Sequence, residues 1–329
     1  MKKNGQSVSV VMCTYNGDRF LREQLDSILR QTYPVAEIVV QDDCSTDNTA
    51  AIVEEYVCKH QHIRFIRNEQ RMGINPNFFS AMRRTTGRYI AIADQDDIWE
   101  HDKIEKQMDA IGDNLLCAGF SRPFTTTGVP IRFDNRIPNH HLLRMIYVGM
   151  LSGHTLLLDR QLLELIPDNH VNVHRYYDII LGMVAQAHQR VVFLPQVLVN
   201  HRRHVDAASY HVPTDNSRTM SNVWRNVWRT MRLYIELRHA IRERLKPTYD
   251  FLACLRGVSD EVDTAVQMLQ LHISTSPIDF LRQQALCVKH CDKLFYACEK
   301  KSFFNRLRAW YFPISCSEYF RYLSKKNIR

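Results

Sequence analysis

Hydrophobic and polar positions in the first 200 residues switch repeatedly between a strand-like and a helix-like period. Val8 to Cys13 is a run of β-forming residues, which predicts a strand buried on both faces. Phe20, Leu21, Leu25, Ile28 and Leu29 then recur at helical spacing until Pro34. Glu37–Val40 reads as a second strand, followed by a helix that starts at Asp47 and carries Ala51, Ile52, Tyr56 and Val57. Ile63–Ile66 and Tyr89–Ala93 read as a third and a fourth strand, and Phe78, Phe79 and Met82 mark the helix between them. Ile104, Met108 and Ile111 mark a fourth helix, and Leu115–Phe120 a fifth strand. The pattern weakens between 120 and 150, where Pro123, Pro130 and Pro138 sit among polar residues. His154–Leu158 predicts a further strand, Tyr177–Ala187 a helix, and Val191–Leu194 and Val197–Val199 two short strands.

From about Arg218 the chain reads as almost wholly helical. Segments 219–245, 249–271, 277–299 and 302–324 carry i/i+3/i+4 apolar spacing, with Pro247 or short polar links between them. Repeated strand–helix units predict an α/β fold, a Rossmann-like and mainly parallel sheet flanked by helices, with a helical C-terminal extension. The expected division is a catalytic domain over residues 1–210 and a basic helical region over 211–329. Ligands of such sheets lie beyond the carboxyl ends of the strands, so the chemistry belongs there.

Composition narrows this further. With 329 residues, 45% hydrophobic and 24% charged, the chain is neither disordered nor fibrous. No apolar run approaches the ~18 residues of a membrane-spanning helix. Lys2 and Lys3 are followed by Asn4, Gly5 and Gln6, which is not a secretory pattern, so the expected site of action is the cytosol. Nine scattered cysteines are then expected to stay reduced. Cys287, Cys291 and Cys298 lie near His290 but lack paired C-x-x-C spacing, and Cys287 and Cys291 read as one apolar helix face. The net charge of +8 is uneven, because residues 201–329 hold 22 Lys and Arg against 12 Asp and Glu. That excess points the second half toward something anionic.

No glycine-rich phosphate loop follows the first strand, whose exit is Thr14-Tyr15-Asn16-Gly17. The other exits carry Asp42-Asp43, Asn68 and Asp94-Gln95-Asp96-Asp97. An acid-rich site accepts a diphosphate only through a bound cation. Carboxylates clustered as Asp94, Asp96 and Asp97 suit a hard divalent ion, Mg²⁺ or Mn²⁺. Helix capping explains a single acid here, but not three held together against their mutual repulsion. Ser45 or Asp47 serves as a cap for the second helix, which leaves Asp42 and Asp43 available to accept hydrogen bonds from a base or ribose.

The segments VSVVMCTYNG (8–17), EIVVQDDCSTDNT (37–49), NEQRMGINPNF (68–78) and GRYIAIADQDDIW (87–99) together resemble the family 2 glycosyltransferases with the GT-A fold. The resemblance covers roughly residues 7–205. The D-Q-D-D-I-W form with Lys103 following is similar to the subset that builds bacterial polysaccharides, many of them described as rhamnosyltransferases. It implies an inverting transferase with a nucleoside-diphosphate sugar donor, dTDP-rhamnose or a UDP-sugar. The implied acceptor is a growing surface polysaccharide or a lipid-linked oligosaccharide.

By the same resemblance Thr14, Tyr15, Asn16, Asp42 and Asp43 contact the nucleoside, and Asp94 and Asp96 hold the ribose and the metal, with Asp97 as the alternative metal ligand. The acceptor base falls at Asp178, with Asp168 and His174 as fallbacks. His201-Arg202-Arg203-His204 is similar to the family's R-x-H loop, which assigns Arg202 or Arg203 and His204 to the diphosphate or metal. Trp224, Trp228, Phe303, Phe304 and Trp310 lie among Arg and Lys in the C-terminal helices. That mixture suits the interface of an anionic membrane, with a peripheral position on the inner face of the cell membrane. A sugar-nucleotide-forming nucleotidyltransferase is the nearest rival, but its glycine-rich N-terminal signature is missing. A nucleic-acid partner is opposed by the acids at the strand exits.

Overall fold

The computed structural model describes residues 6–125, 131, 133–149, 151–203, 220–295 and 303–323. The strands are β1 (Val8–Thr14), β2 (Glu37–Asp42), β3 (Ile63–Arg67), β4 (Tyr89–Ala93), β5 (Ile98–Trp99), β6 (Leu116–Phe124), β7 (Leu157–Asp159) and β8 (Val191–Arg202). Helices α1 (Asp18–Leu29), α2 (Thr49–Lys59), α3 (Ile74–Arg83) and α4 (Lys103–Ala110) alternate with the early strands. The short α5 (Leu142–Met145) and α6 (Gln161–Glu164) follow, then α7 (Tyr177–Ala187). The last part holds α8 (Met220–Ala253), α9 (Asp260–Ile273), α10 (Pro277–Lys289), α11 (Cys291–Leu294) and α12 (Phe303–Ser315).

The chain divides into two compact units, one of residues 1–135, 151–166 and 175–210, the other of 136–150, 167–174 and 211–329. The first contains an eight-stranded sheet in the order β3-β2-β1-β4-β7-β6-β8-β5. Strands β3, β2, β1 and β4 are parallel, β7 runs antiparallel to both β4 and β6, and β6 pairs parallel with β8. The α/β class and mainly parallel sheet expected from the periodicity are therefore present. Fully buried Val10, Met12, Ile38, Val40 and Ala91 form its centre, the continuous apolar runs that a sheet covered on both faces requires. The exits of β1, β2 and β4 consequently open at one rim.

Local details differ from the sequence reading where tertiary contacts outweigh propensity. His154 lies in a 3₁₀ turn, Gly153–Thr155, ahead of β7 rather than in a strand. The two short strands expected near 191–199 are one strand, β8, which pairs with β6 through register shifts around Phe120. The two-residue β5, too short to stand out in a hydrophobic pattern, pairs antiparallel with β8.

In the second unit α8 continues through Pro247 instead of breaking there. An internal proline costs ~3 kcal/mol. Leu245 and Phe251, both fully buried on either side of it, offset that cost at ~1.5–3 kcal/mol each. Cys287 and Cys291 are buried in this helical core and Cys298 lies outside the described residues. No helix among the described residues is long and apolar enough to cross a membrane.

Candidate active site

The exit of β1 is held in shape by side chains of the next strand–helix loop. Asn16 sits at φ +47°, its N–H donates to Ser45 Oγ at 2.9 Å, and its own Oδ1 accepts from the Thr46 N–H at 2.8 Å. Tyr15 is exposed, with the Arg71 guanidinium 3.9 Å from its ring centroid. Gln95 bridges across by accepting from the Tyr15 N–H at 2.9 Å and donating to the Tyr15 carbonyl at 3.1 Å. A Cβ on Gly17 would lie 2.2 Å from Gln95 Oε1, so a larger residue there would push the Gln95 amide off Tyr15.

Asp42 and Asp43 are both buried and both use their carboxylates to build this wall. Asp42 accepts from Thr14 Oγ1 at 2.9 Å, from the Ser45 N–H at 2.9 Å and from the Ser45 hydroxyl, with Arg67 Nε 3.7 Å away. Asp43 accepts from the N–H groups of Met72 (2.7 Å) and Gly73 (2.9 Å) and from Asn68 Nδ2 (2.9 Å), which ties the loop before α3 to the end of β2.

The acids after β4 divide by burial. Asp94 keeps 35% of its side chain exposed, Asp96 is half-buried, and Asp97 is fully buried. Asp97 Oδ1 accepts from the Arg202 N–H at 2.9 Å and lies 3.1 Å from His201 Nδ1. Among the described residues its Oδ2 has no hydrogen-bond partner, and it lies 3.5 Å from His154 Nδ1. His154 Nδ1 is also 3.2 Å from Asp94 Oδ2, while its Nε2 is 2.8 Å from Ser121 Oγ. Burial alone favours a neutral imidazole, but the charges of Asp97 and Asp94 outweigh it and raise the His154 pKa to about 9. Burial likewise disfavours the Asp97 carboxylate, yet both histidines and the Arg202 N–H hold its pKa below the usual range.

Asp178 stands in the first turn of α7 and accepts from the Ile179 N–H at 2.8 Å. Its pKa is raised to about 6, first by burial and then by the charge of Asp94, against the N–H groups of Ile179 and Gly153 and the charge of His154. The proposed base and the acid run thus share one electrostatic site. Tyr177, which the sequence reading did not single out, is buried beside it and stacks on Phe78 with centroids 4.0 Å apart. Its phenol pKa is pushed well above the ordinary value by burial and the surrounding acids.

Arg202 is engaged inside the protein. Its Nη2 donates to Glu23 Oε2 at 2.8 Å and its Nε to the Asp96 carbonyl at 2.9 Å, with the Phe20 and Phe124 rings on its faces. His204 lies outside the described residues. Asp168 and His174, the fallbacks for the base, belong to the second unit. His154 and His201, by contrast, come together with Asp97, their ligand atoms within 4.8 Å of one another.

Comparison with known proteins identifies the family. The description "Glycosyl transferase family 2" matches residues 9–166. The E. coli UDP-Glc:alpha-D-GlcNAc-diphosphoundecaprenol beta-1,3-glucosyltransferase WfgD is 31% identical over 174 residues, 52% of this chain and 67% of that protein. A Bacillus subtilis protein bearing the name of a teichuronic acid biosynthesis glycosyltransferase, TuaG, is 36% identical over 114 residues, 35% of this chain. That match spans only 45% of the length of TuaG. Among solved structures, S. aureus TarS residues 1–349 in complex with UDP-GlcNAc aligns with a TM-score of 0.56 at 16% identity, over 96% of this chain and 91% of that one. The sheet order, the acid-lined strand exits and these likenesses lead to one classification: the chain belongs to glycosyl transferase family 2, with a GT-A-like fold.

Proposed function

We propose that this chain is an inverting sugar transferase that moves a sugar from a nucleoside-diphosphate donor to a hydroxyl of a surface polysaccharide or lipid-linked glycan. The observation that carries the reading is the position of Asp178 in the first turn of α7, where burial and the charge of Asp94 raise its pKa to about 6. Such a group is ionised at neutral pH yet basic enough to accept a proton. In the reaction the acceptor oxygen gives its proton to Asp178 and bonds to the anomeric carbon. The bond from that carbon to the diphosphate oxygen breaks, and the nucleoside diphosphate leaves.

Thr14, Tyr15, Asn16, Asp42 and Asp43 form the nucleoside wall, with Tyr15 offering an exposed ring for a base. Asp94 takes the ribose. Asp94, Asp96 and Asp97 would hold a divalent ion, Mg²⁺ or Mn²⁺, which supplies positive charge against the leaving diphosphate. The residues fit such an ion, because among the described residues the buried Asp97 Oδ2 has no hydrogen-bond donor of its own. The donor is dTDP-rhamnose or a UDP-sugar; the UDP-sugar named for WfgD and the UDP-GlcNAc bound to TarS support the second.

Residues 1–210 act as the catalytic domain and 211–329 serve acceptor or membrane association. On α8 and α12, Trp228, Phe303, Phe304 and Trp310 are all at least half exposed beside Arg225, Arg229 and Arg306. This surface suits an anionic bilayer at the inner face of the cell membrane, where lipid-linked acceptors would be met. Incubation with a panel of nucleotide sugars and glycan or lipid-linked acceptors, reading released nucleoside diphosphate and the anomeric configuration of the product, tests the proposal. Inverted product with one donor is expected. No turnover across the panel, or retained configuration, overturns it.

A further inference from the structure

Among the described residues, Tyr176 ahead of α7 offers the first turn of that helix no side-chain hydrogen bond. The acceptor comes instead from a residue 102 positions away in the chain. Asn75 Oδ1, in the first turn of α3, accepts from the Tyr177 N–H at 2.9 Å, and Asn75 Nδ2 donates to the Arg175 carbonyl at 2.5 Å. A carboxamide carries an acceptor and a donor side by side, so the two bonds together fix which way it points. Three residues on, Phe78 stacks on the Tyr177 ring with centroids 4.0 Å apart. Positions i and i+3 share a helix face, so one face of α3 holds both the backbone and the ring of Tyr177. Asp178 is the next residue.

The start of α3 is anchored in turn to the end of β2. Asp43 accepts from the Met72 and Gly73 N–H groups, and Gly73, at φ +83°, is the residue from which α3 departs. Asn77 Nδ2 donates to the Gln41 carbonyl at 3.2 Å, and Asn77 Oδ1 accepts from Asn68 Nδ2 at 2.9 Å. A chain of short polar contacts therefore runs from Asp43 through the start of α3 to the residue before Asp178. A first-turn N–H that loses its acceptor leaves the helix end free to fray. A misplacement of about 1 Å at a reacting group costs ~10²-fold in rate.

We propose that Asn75 is a positioning residue for the acceptor base, capping α7 from the loop that Asp43 anchors and so seating Asp178. This deepens the transferase reading, and rests on its assignment of Asp178, by naming what places the base. Asn75 acts through the α7 backbone and takes no proton itself. The segment that closes the nucleoside wall thus also sets where the acceptor is deprotonated.

The test compares the full chain with Asn75→Ala, Asn75→Asp, Asp178→Asn and the Asn75→Ala/Asp178→Asn double variant. Transfer rates are read with the nucleotide sugar that turns over, and donor-site affinity with UDP and dTDP. Asn75→Ala should lower kcat ~10–100-fold and leave UDP or dTDP affinity within about twofold. In the Asp178→Asn background the same change should be nearly silent, because no base remains to be placed. Asn75→Asp keeps the acceptor for the Tyr177 N–H and loses the bond to Arg175, so its rate should lie between Asn75→Ala and wild type. Hydrogen exchange over residues 175–181 should quicken in Asn75→Ala while β1 and β4 stay protected. Where Asn75→Ala does not fold, Asn75→Asp carries the same comparison in both backgrounds. An unchanged kcat, an equal loss in both backgrounds, or unchanged exchange over 175–181 overturns the role of Asn75. A normal Asn75→Ala beside a slow Asp178→Asn removes that role and leaves the transferase reading standing. An Asp178→Asn chain as fast as wild type removes the base, and the role of Asn75 with it.

Discussion

The hydroxyl of Tyr177 rests against the backbone of Gly153 so closely that a Cβ there would lie 2.3 Å from it. Tyr177 cannot easily yield, because its ring is stacked on Phe78 at 4.0 Å and is buried. This contact joins the start of α7, which carries Asp178, to the turn that carries His154.

Gly153→Ala should therefore cost ~1–3 kcal/mol through overpacking, and should lower kcat by more than the loss of folded protein explains. Tyr177→Phe removes the atom that clashes first, so the double variant should recover part of the lost stability. Thermal melting and initial rates on all four proteins check this. Equal losses in the single and double variants would place the strain elsewhere.

Asp178→Asn keeps the shape and the first-turn position but removes the proton acceptor. The rate is expected to fall ~10²–10⁴-fold with donor affinity nearly unchanged. In the wild-type enzyme the Asp178 pKa near 6 predicts a rate that is flat above pH 7 and falls as pH drops through 6, because the protonated carboxyl cannot accept. The residual activity of the Asp178→Asn variant should lack that acid limb. A near-wild-type rate for Asp178→Asn would remove Asp178 as the base.

Lys103 carries a second pH signature, this one in stability. Its ammonium is fully buried, 3.9 Å from the Trp99 ring centroid and 2.9 Å from Gln107 Oε1, and burial pushes its pKa down to about 7. The unfolded chain then binds more protons than the folded one between pH 7 and roughly 10. Its penalty is full below 7 and disappears as pH rises through that window. Lys103→Met should melt at its highest relative to wild type near pH 6, and the gap should shift against the variant by pH 9. A gap independent of pH would show that the lysine is not buried as a cation.

The helical surface should bind vesicles containing anionic lipid and release them as salt rises, since the attraction is screened over ~8–10 Å. Trp228→Ser with Trp310→Ser, both exposed in the structure, should weaken the binding further. Sedimentation with neutral and anionic liposomes checks it. Equal binding to both would remove the electrostatic account.

What could be read from sequence followed the strand exits. Thr14, Asp42, Asp94 and Asp178 stood out because each ends or directly follows a strand or opens a helix, where a local pattern announces it. His154 gave no such signal, because flanked by Leu-rich sequence it looked like one more strand residue. It reaches Asp97 only through the antiparallel β7, a pairing that periodicity does not specify. His201 looked like the first residue of a basic loop, and its contact with Asp97 depends on β8 running alongside β5. Arg202 was expected at the diphosphate, yet its Glu23 partner lies on a distant helix and no spacing rule links them. Pro247 misled for the opposite reason: a strong local signal was outweighed by burial on both sides.

The parallel stack of His154 on His201 also limits how this site is inherited. Each ring is the other's wall, so a change at one position leaves an imbalance of both volume and charge around Asp97. Descendants of the same ancestor are expected to keep both imidazoles or to replace both, trading the pair for two side chains that share the same space. A single replacement leaves a gap beside the remaining ring, so the two positions are expected to change together.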